Sequence, residues 1–584
     1  MPMSTLRKTK IVCTMGPNLF EKNLIAPLMK AGMNVARFNF SHGTYETHQR
    51  YFNEVCRVRD ELGLPVATML DTKGPEIRVR RFAQGRVQLE PGQQFILTTE
   101  DVDGDESRVS VTYKDLPRDV AVGGAVLIDD GLIAMTVERV TDTDVCCRVL
   151  NGGAVSDNKG INLPNVHLSM PFISEKDRND IIFAAQNGYD FIAASFTRCA
   201  DDILQIRHIL NAHGGQDINI IAKIENMEGV ENLDEILRVA DGVMVARGDL
   251  GVEVPLEEVP SLQKTMIQQA IAAGKPVITA TQMLDSMIKH PRPTRAEATD
   301  VANAIYDGTS AIMLSGETAV GDYPVEAVET MARIALRAES DQHYIRRFSR
   351  PQGLPSADVT SAISHSTVTS AHDLNASAII TVTKSGGTAR ILSRYRPACT
   401  IVGCTISPKV WRQLALSWGT APLMIEEENN TDDLFDHAVA AAVREGIVRD
   451  GELVVLTAGV PLGISGTTNL MKVHVVGHLL VRGQGLNHQV VTAPLCVIHS
   501  LEEDAKVFDP GDVIVCRQTT GDMFPLLRKA GGIILEDPNP EGHGAIAGMS
   551  LDIPVIVGAA NATSILKSGA VVTVDAAKGT VSAN

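Results

Sequence analysis

Eight short apolar, β-branched runs recur between residues 10 and 317, most of them followed by an amphipathic helical stretch such as LFEKNLIAPLMKAG or ADDILQIRHILNAHGG. The runs are KIVCTMG (10–16), NVARFNF (34–40), PVATMLD (65–71), DFIAASF (190–196), INIIAKIE (218–225), GVMVARGD (242–249), PVITATQ (276–282) and SAIMLSGE (310–317). Strand–helix alternation repeated eight times predicts an α/β fold, a parallel (β/α)8 TIM barrel. Chemistry in such barrels gathers at the C-terminal strand ends. Polar residues do fall late in these runs: Arg37, Asn39 and Ser41; Asp71 and Lys73; Lys223 and Glu225; Arg247 and Asp249; Thr281; Glu317. A purely structural barrel scatters its polar residues along the strands, so this clustering points to an enzyme.

The stretch from Asp71 to Phe191 is too long for one crossover, and its texture differs. RVQLEPGQQFILTTED, SRVSVTY, AVLIDDGLIAMTVERV and VCCRVLNGG alternate and break at Gly, Asp and Pro. They predict an inserted antiparallel β-barrel domain at 74–170, with Gly74-Pro75 and Met170-Pro171 as hinges. Its functional reading is a mobile lid that excludes water from the barrel mouth. The barrel then comprises 1–73 and 171–349. RPQGLPSADV (350–359) reads as a linker. SAIITVT, TIVGCT, APLMI, ELVVLTAG and KVHVVG predict an open α/β domain at 356–478. VRGQGLNHQ (481–489) reads as a second linker, and 487–584 as a further α/β module with DVIVCRQ, GGIILE and IPVIVG as strands.

A chain of 584 residues exceeds one hydrophobic core, so three or four domains are expected. The formal charge of −17 argues against nucleic-acid or anionic-membrane partners, and an anionic substrate must be held by local cations or metal ions. Nine cysteines, without zinc-type spacing, read as reduced thiols of a cytoplasmic protein. No apolar run has the length of a membrane span.

In NIIAKIENM, Lys223 and Glu225 share one strand face, because strand side chains alternate. Burying both charges is costly unless they are paired or bound. Asp249, in ARGDLG at the next strand end, offers a second carboxylate, so that Glu225 and Asp249 can share a divalent metal. Lys223 then need not be the structural partner of Glu225. Arg37 at a strand end suits an anionic oxygen, and Asn39 and Ser41 offer neutral oxygens to a hard cation.

Seven stretches, NVARFNFSHG, MLDTKGPEIR, DNKGINLP, IAKIEN, MVARGDLGVEVP, TATQMLDSM and MLSGETAVGDYP, together resemble the pyruvate kinase family, and the resemblance extends through about residue 480. It implies transfer of the phosphoryl group of phosphoenolpyruvate to ADP, giving pyruvate and ATP. Arg37 then holds the transferring group, and Lys223 stabilises charge on it and on the enolate. Glu225 and Asp249 bind Mg²⁺ (or Mn²⁺). The amides near Gly248 and Asp249, with Thr281, receive the substrate carboxylate. Asn39, Ser41, Asp71 and the Thr72 carbonyl form a K⁺ site, and Glu76 matches the potassium-dependent form of the motif. Asn39, His42, Arg78 and Lys159 match nucleotide contacts, with Asp130 nearby. A homotetramer is implied in the same way.

TVTKSGGTARILSRYRP (381–397) runs a strand into a Gly-rich turn and a helix, a plausible phosphate cradle. The resemblance assigns Thr383, Lys384, Ser385 and Thr388 to a phosphorylated allosteric effector. The tail resembles the swivelling phosphohistidine domain of phosphoenolpyruvate-utilising enzymes. That family's Thr-Ser pair before the histidine is Glu541-Gly542 here, and Gly544-Ala545 follows His543, so the pattern favours a structural or oligomer-stabilising module over a phosphocarrier. A rival reading of Lys223 is a Schiff-base aldolase lysine, which needs a depressed pKa; Glu225 and Asp249 push it the other way. A catalytically dead effector-binding scaffold predicts missing ligands, and no family ligand is missing.

Overall fold

The computed structural model describes residues 6–341, 358–428, 430–460, 468–477 and 479–583. The linker expected at 350–359 lies outside these as far as residue 357, as do the expected domain edges at 349, 356, 478 and 584.

All eight apolar runs form strands: Lys10–Thr14, Val35–Asn39, Ala67–Asp71, Phe191–Ala194, Asn219–Ile224, Gly242–Ala246, Val277–Ala280 and Ala311–Leu314. Each pairs in parallel with its neighbours, and the last closes on the first through Lys10↔Ala311, giving a closed barrel. Every residue of the third, sixth, seventh and eighth strands is buried, as expected where side chains fill the barrel on one face and pack against helices on the other. The helices start where their caps dictate. Ser174 and Asp177 form a reciprocal capping box ahead of Glu175–Asn187, and Thr294 and Glu297 do so ahead of Arg295–Asp307. Left-handed Gly188 and Gly308 end the same two helices.

The insertion forms a seven-stranded sheet, and an antiparallel bridge between Val79 and Val111 joins its two edges, rolling it into a small barrel. One pair departs from the antiparallel expectation. Gln94–Thr98 and Arg108–Ser110 run parallel, because the connection between them swings out through Gly104, which bridges to Phe82, before returning.

The α/β unit has four parallel strands with antiparallel Thr468–Val475 at its edge. It is clasped to the bottom of the barrel: Arg412 Nε lies 2.9 Å from the fully buried Asp190, and Lys10 Nζ donates to Thr420 O at 2.7 Å.

The final sheet has eight strands and corrects the second linker. Leu479–Arg482 pairs with Thr580–Ala583, and Gln484–Gly485 with Val555–Val557. The glycines that resemble linker residues are there because the backbone has no room for anything else. A Cβ at Gly485 would lie 1.6 Å from Ala576 O, and one at Gly483 2.5 Å from Val557 O. All nine cysteines are free thiols. Among the described residues no helix is long and apolar enough to cross a membrane.

Candidate active site

The strand ends converge on one buried network. Arg37 Nε donates to Asp71 Oδ2 at 2.6 Å, and its Nη1 to Thr14 Oγ1 at 2.9 Å. Lys223 Nζ has three acceptors: Ser195 Oγ at 2.6 Å, Glu225 Oε1 at 2.9 Å and Asp71 Oδ1 at 3.2 Å. An ammonium has three protons, so all are satisfied. The expectation that Lys223 and Glu225 are not partners is therefore corrected: sharing a strand face at a buried end, the two pair directly, and Asp71 takes the lysine's other side. Glu225 Oε2 also accepts from Phe196 N at 2.5 Å.

The electrostatics divide this network. Burial raises the Asp71 pKa, but Arg37 and Lys223 outweigh it and hold the carboxyl below its ordinary value. Burial would lower the Lys223 pKa, but Asp71 and Glu225 reverse the sign and raise it. Glu225 is pushed up to about 7 by burial, with Lys223 opposing and Asp249 reinforcing the shift. Asp249 is raised too, chiefly by burial, and hydrogen-bonds the Glu225 side chain. A buried and a partly buried carboxylate in hydrogen-bond contact are oxygen ligands of the kind a divalent cation takes.

Thr281 follows the seventh strand at φ +70°, a strained conformation for a β-branched residue. Arg247 Nη2 pins its carbonyl at 2.8 Å, and its Oγ1 accepts from Gly248 N at 2.7 Å. Thr281 thus lies against the start of helix Arg247–Glu253, which carries Asp249.

Of the expected K⁺ ligands, Asn39 and Asp71 are cross-strand partners, Asn39 Oδ1 accepts from Ser41 N at 3.1 Å, and Thr72 O accepts from Ser195 Oγ at 2.7 Å. Amide, hydroxyl, carboxylate and carbonyl oxygens suit a hard monovalent cation. The expected nucleotide contacts fall into two pairs. Arg78, ion-paired with Glu76 at 2.7 Å, and Lys159, ion-paired with Asp129 at 2.8 Å, adjoin in the insertion, where Arg78 aligns with Gly160. Asn39 and exposed His42 belong to the barrel, and among the described residues no hydrogen bond or ion pair joins the two pairs. Between insertion and barrel lies a cleft of about 220 Å³, lined among others by Glu76, Asp130, Asn162, Phe196, Asn226 and Asp249.

Elsewhere, Thr383 is buried and its Oγ1 accepts from Gly386 N at 3.0 Å, Thr388 Oγ1 lies 2.6 Å from Thr468 Oγ1, and Lys384 and Ser385 are exposed at the turn. His543 is exposed at the first turn of helix His543–Ser550, with Thr519 Oγ1 3.1 Å from its Nδ1. A hydroxyl thus reaches this histidine from a distant loop, which the adjacent sequence does not reveal.

Ser195 is absent from the set of strand-end residues marked in the sequence, although the same signal holds for it: a polar residue closing the apolar run DFIAAS.

A closed parallel barrel with cations and carboxylates interleaved at its C-terminal strand ends, beside an inserted β domain, defines a barrel enzyme of the phosphotransferase class. Family models match along the chain: "Pyruvate kinase, barrel domain" over residues 6–328, "Pyruvate kinase, alpha/beta domain" over 361–474, and "PEP-utilising enzyme, mobile domain" over 508–579. The chain belongs to the pyruvate kinase family. It is 49% identical to a pyruvate kinase of Geobacillus stearothermophilus over 577 residues, 98% of either chain, and 48% identical to one of Bacillus licheniformis over 99% of either. A solved pyruvate kinase structure from Cryptosporidium parvum matches with TM-score 0.75 and 40% identity, covering 80% of this chain and 96% of that one.

Proposed function

We infer that the chain transfers the phosphoryl group of phosphoenolpyruvate to ADP, producing pyruvate and ATP, the last step of glycolysis. One observation carries the residue assignment: Arg37 and Lys223 flank Asp71 on one side of the mouth, while the paired carboxylates Glu225 and Asp249 occupy the other. Phosphoryl transfer asks for positioning and charge stabilisation rather than protein nucleophiles, and this constellation supplies both.

Arg37 orients the phosphoryl oxygens. Lys223, kept fully protonated by its carboxylate neighbours, stabilises charge on the transferring group and then on the enolate oxygen. Glu225 and Asp249 hold Mg²⁺ or Mn²⁺, in keeping with a family that generally uses a divalent metal and K⁺. Bound there, the divalent ion supplies positive charge beside the reacting oxygens. Amides at Gly248 and Asp249, with Thr281, receive the substrate carboxylate, and Thr281 lies near the proton's route to the enolate. Asn39, Ser41, Asp71 and Thr72 hold K⁺; Asn39, His42, Arg78 and Lys159 meet the nucleotide as the lid closes. Thr383, Lys384, Ser385 and Thr388 take the phosphate of an allosteric effector. The raised Lys223 pKa disfavours the aldolase reading, which needs a neutral amine. A homotetramer in the cytoplasm completes the proposal.

The test is turnover of phosphoenolpyruvate and ADP, coupled to lactate dehydrogenase, with and without Mg²⁺ and K⁺. Turnover with both ions is expected. None with both defeats the activity, and full turnover without K⁺ defeats only the monovalent site.

A further inference from the structure

The chain leaves the fourth barrel strand through Ser195 and Phe196, and this turn touches both sides of the site. Ser195 is 2% exposed. Its Oγ makes the shortest of the three contacts to Lys223 Nζ, 2.6 Å, and lies 2.7 Å from Thr72 O and 3.1 Å from Asp71 Oδ1. With one proton, the hydroxyl accepts from the ammonium and donates to the Thr72 carbonyl or to Asp71. Ser195 N donates to Thr72 Oγ1 at 3.2 Å, so backbone and side chain are both fastened to the third strand's end. One residue on, Phe196 is held at φ +55° while its N–H donates to Glu225. A bulky residue keeps that left-handed conformation only where its surroundings impose it.

The outgoing connection to the inserted domain packs on the same turn. Gly74 sits at φ +71°, and a Cβ there would lie 2.8 Å from Ser195 O and 2.9 Å from Ser195 Cβ. Gly74 N donates to Asp177 Oδ1 at 3.0 Å, and Asp177 Oδ2 accepts from Ser174 Oγ at 2.5 Å. Buried Asp177 therefore ties the outgoing connection to the returning one.

A lysine has a long stem with many rotamers, and an ammonium between two carboxylates is free to slide toward either. A third, neutral acceptor, Ser195 Oγ, adds a fixed point that neither carboxylate supplies. We propose that Ser195 is a positioning residue for phosphoryl transfer: its hydroxyl fixes Lys223 Nζ between Asp71 and Glu225, and its packing on Gly74 couples that lysine to the lid connection. This rests on the reading of Lys223 as the cation that stabilises the transferring group. When the lid connection shifts, Gly74 moves Ser195, and the lysine moves with it.

The experiment uses the full-length enzyme with Mg²⁺ and K⁺. Ser195→Ala removes the hydroxyl, and Ser195→Cys keeps the shape but replaces a strong acceptor by a weak one. Both are expected to lower kcat about tenfold while KM for phosphoenolpyruvate stays within about twofold, the pattern of an interaction made in the transition state. The melting midpoint, measured alongside, separates this from general loss of structure. Wild-type kcat in both variants overturns the proposal, as does a rise in KM with kcat unchanged. Lys223→Met is the control: if it retains turnover, the underlying reading fails, whereas if it abolishes turnover while both Ser195 variants are wild type, only this inference fails. For the coupling, Gly74→Ala is expected to cost less kcat in the Ser195→Ala background than in the parent. Equal losses in the two backgrounds overturn the coupling.

Discussion

Asp71 and Glu225 are both buried carboxylates at the ends of barrel strands, and both contact Lys223, yet they titrate in opposite directions. Asp71 has two cations in contact, Arg37 at 2.6 Å and Lys223 at 3.2 Å, and its pKa falls. Glu225 shares only the lysine and faces a second carboxylate, Asp249, and its pKa climbs to about 7. Burial acts on both alike, so the count of local charges decides. One side of the mouth is neutralised by the chain's own cations. The other is left short of positive charge, where a divalent ion is expected.

The largest effect should come from the residue the two sides share. Lys223→Met is expected to lower kcat by about a thousandfold, the scale of losing one preorganised transition-state donor. Mn²⁺ binding, read by electron paramagnetic resonance, should survive, because Glu225 and Asp249, the proposed metal carboxylates, remain. Activity within tenfold of the parent would sink the role given to Lys223.

Next comes the comparison of the carboxylates themselves. Asp71→Asn strands Arg37 and Lys223 with one counter-charge fewer, and should cost about 3 kcal/mol in urea unfolding of the metal-free protein. Glu225→Gln also takes a counter-charge from Lys223, but it leaves Arg37 paired and relieves a like-charge contact with Asp249, and should cost much less. Equal losses would show that burial, and not the local charge count, sets the difference.

A third measurement asks whether the cation-poor side is the metal side. Glu225 must lose its proton to bind a cation, so apparent Mn²⁺ affinity should rise about tenfold per pH unit below about 7 and level off above it. An affinity independent of pH between 5.5 and 7 would break the assignment.

Much of this is legible in the sequence. The barrel strands could be located because β-branched runs at regular spacing have few other uses, and Arg37, Asp71, Lys223 and Glu225 stood out because a charge in such a run has to be accounted for. Ser195 closes an apolar run as they do, but an uncharged side chain there carries no burial cost that has to be accounted for. Its importance comes from neighbours 28 and 123 residues away in sequence, Lys223 and Thr72. Gly483 and Gly485 misled for a related reason: flexibility and close approach demand the same residue, and only the carbonyls of Val557 and Ala576 tell them apart. The Lys223–Glu225 pairing was misjudged because the spacing put both on one face without showing that Asp71 and Ser195 would take the lysine's remaining protons.

The smallest effect is the most direct reading of the charge imbalance. With its folded pKa raised from 4.5 to about 7, Glu225 holds its proton in the folded state while the unfolded chain has already released it. Its contribution to stability is therefore complete below pH 4.5 and is lost as pH rises toward 7, with a slope of at most about 1.4 kcal/mol per pH unit. Asp71, with its pKa lowered from 3.8, contributes the other way: its stabilisation is present above pH 3.8 and is lost on further acidification. Between pH 5 and 7 Asp71 is ionised in both states and is silent, but burial also raises Asp249, Asp180, Glu253 and Glu317 and lowers His48, so the Glu225 share is read as the difference between the parent and Glu225→Gln in denaturant unfolding of the metal-free protein. The parent's stability should fall with rising pH more steeply than that of Glu225→Gln, and saturating Mg²⁺ should remove that excess, because an ion held by both carboxylates removes the reason to keep the proton. A parent and a Glu225→Gln variant with the same pH dependence would show that Glu225 does not hold the proton, and would move the centre of the imbalance away from this strand end.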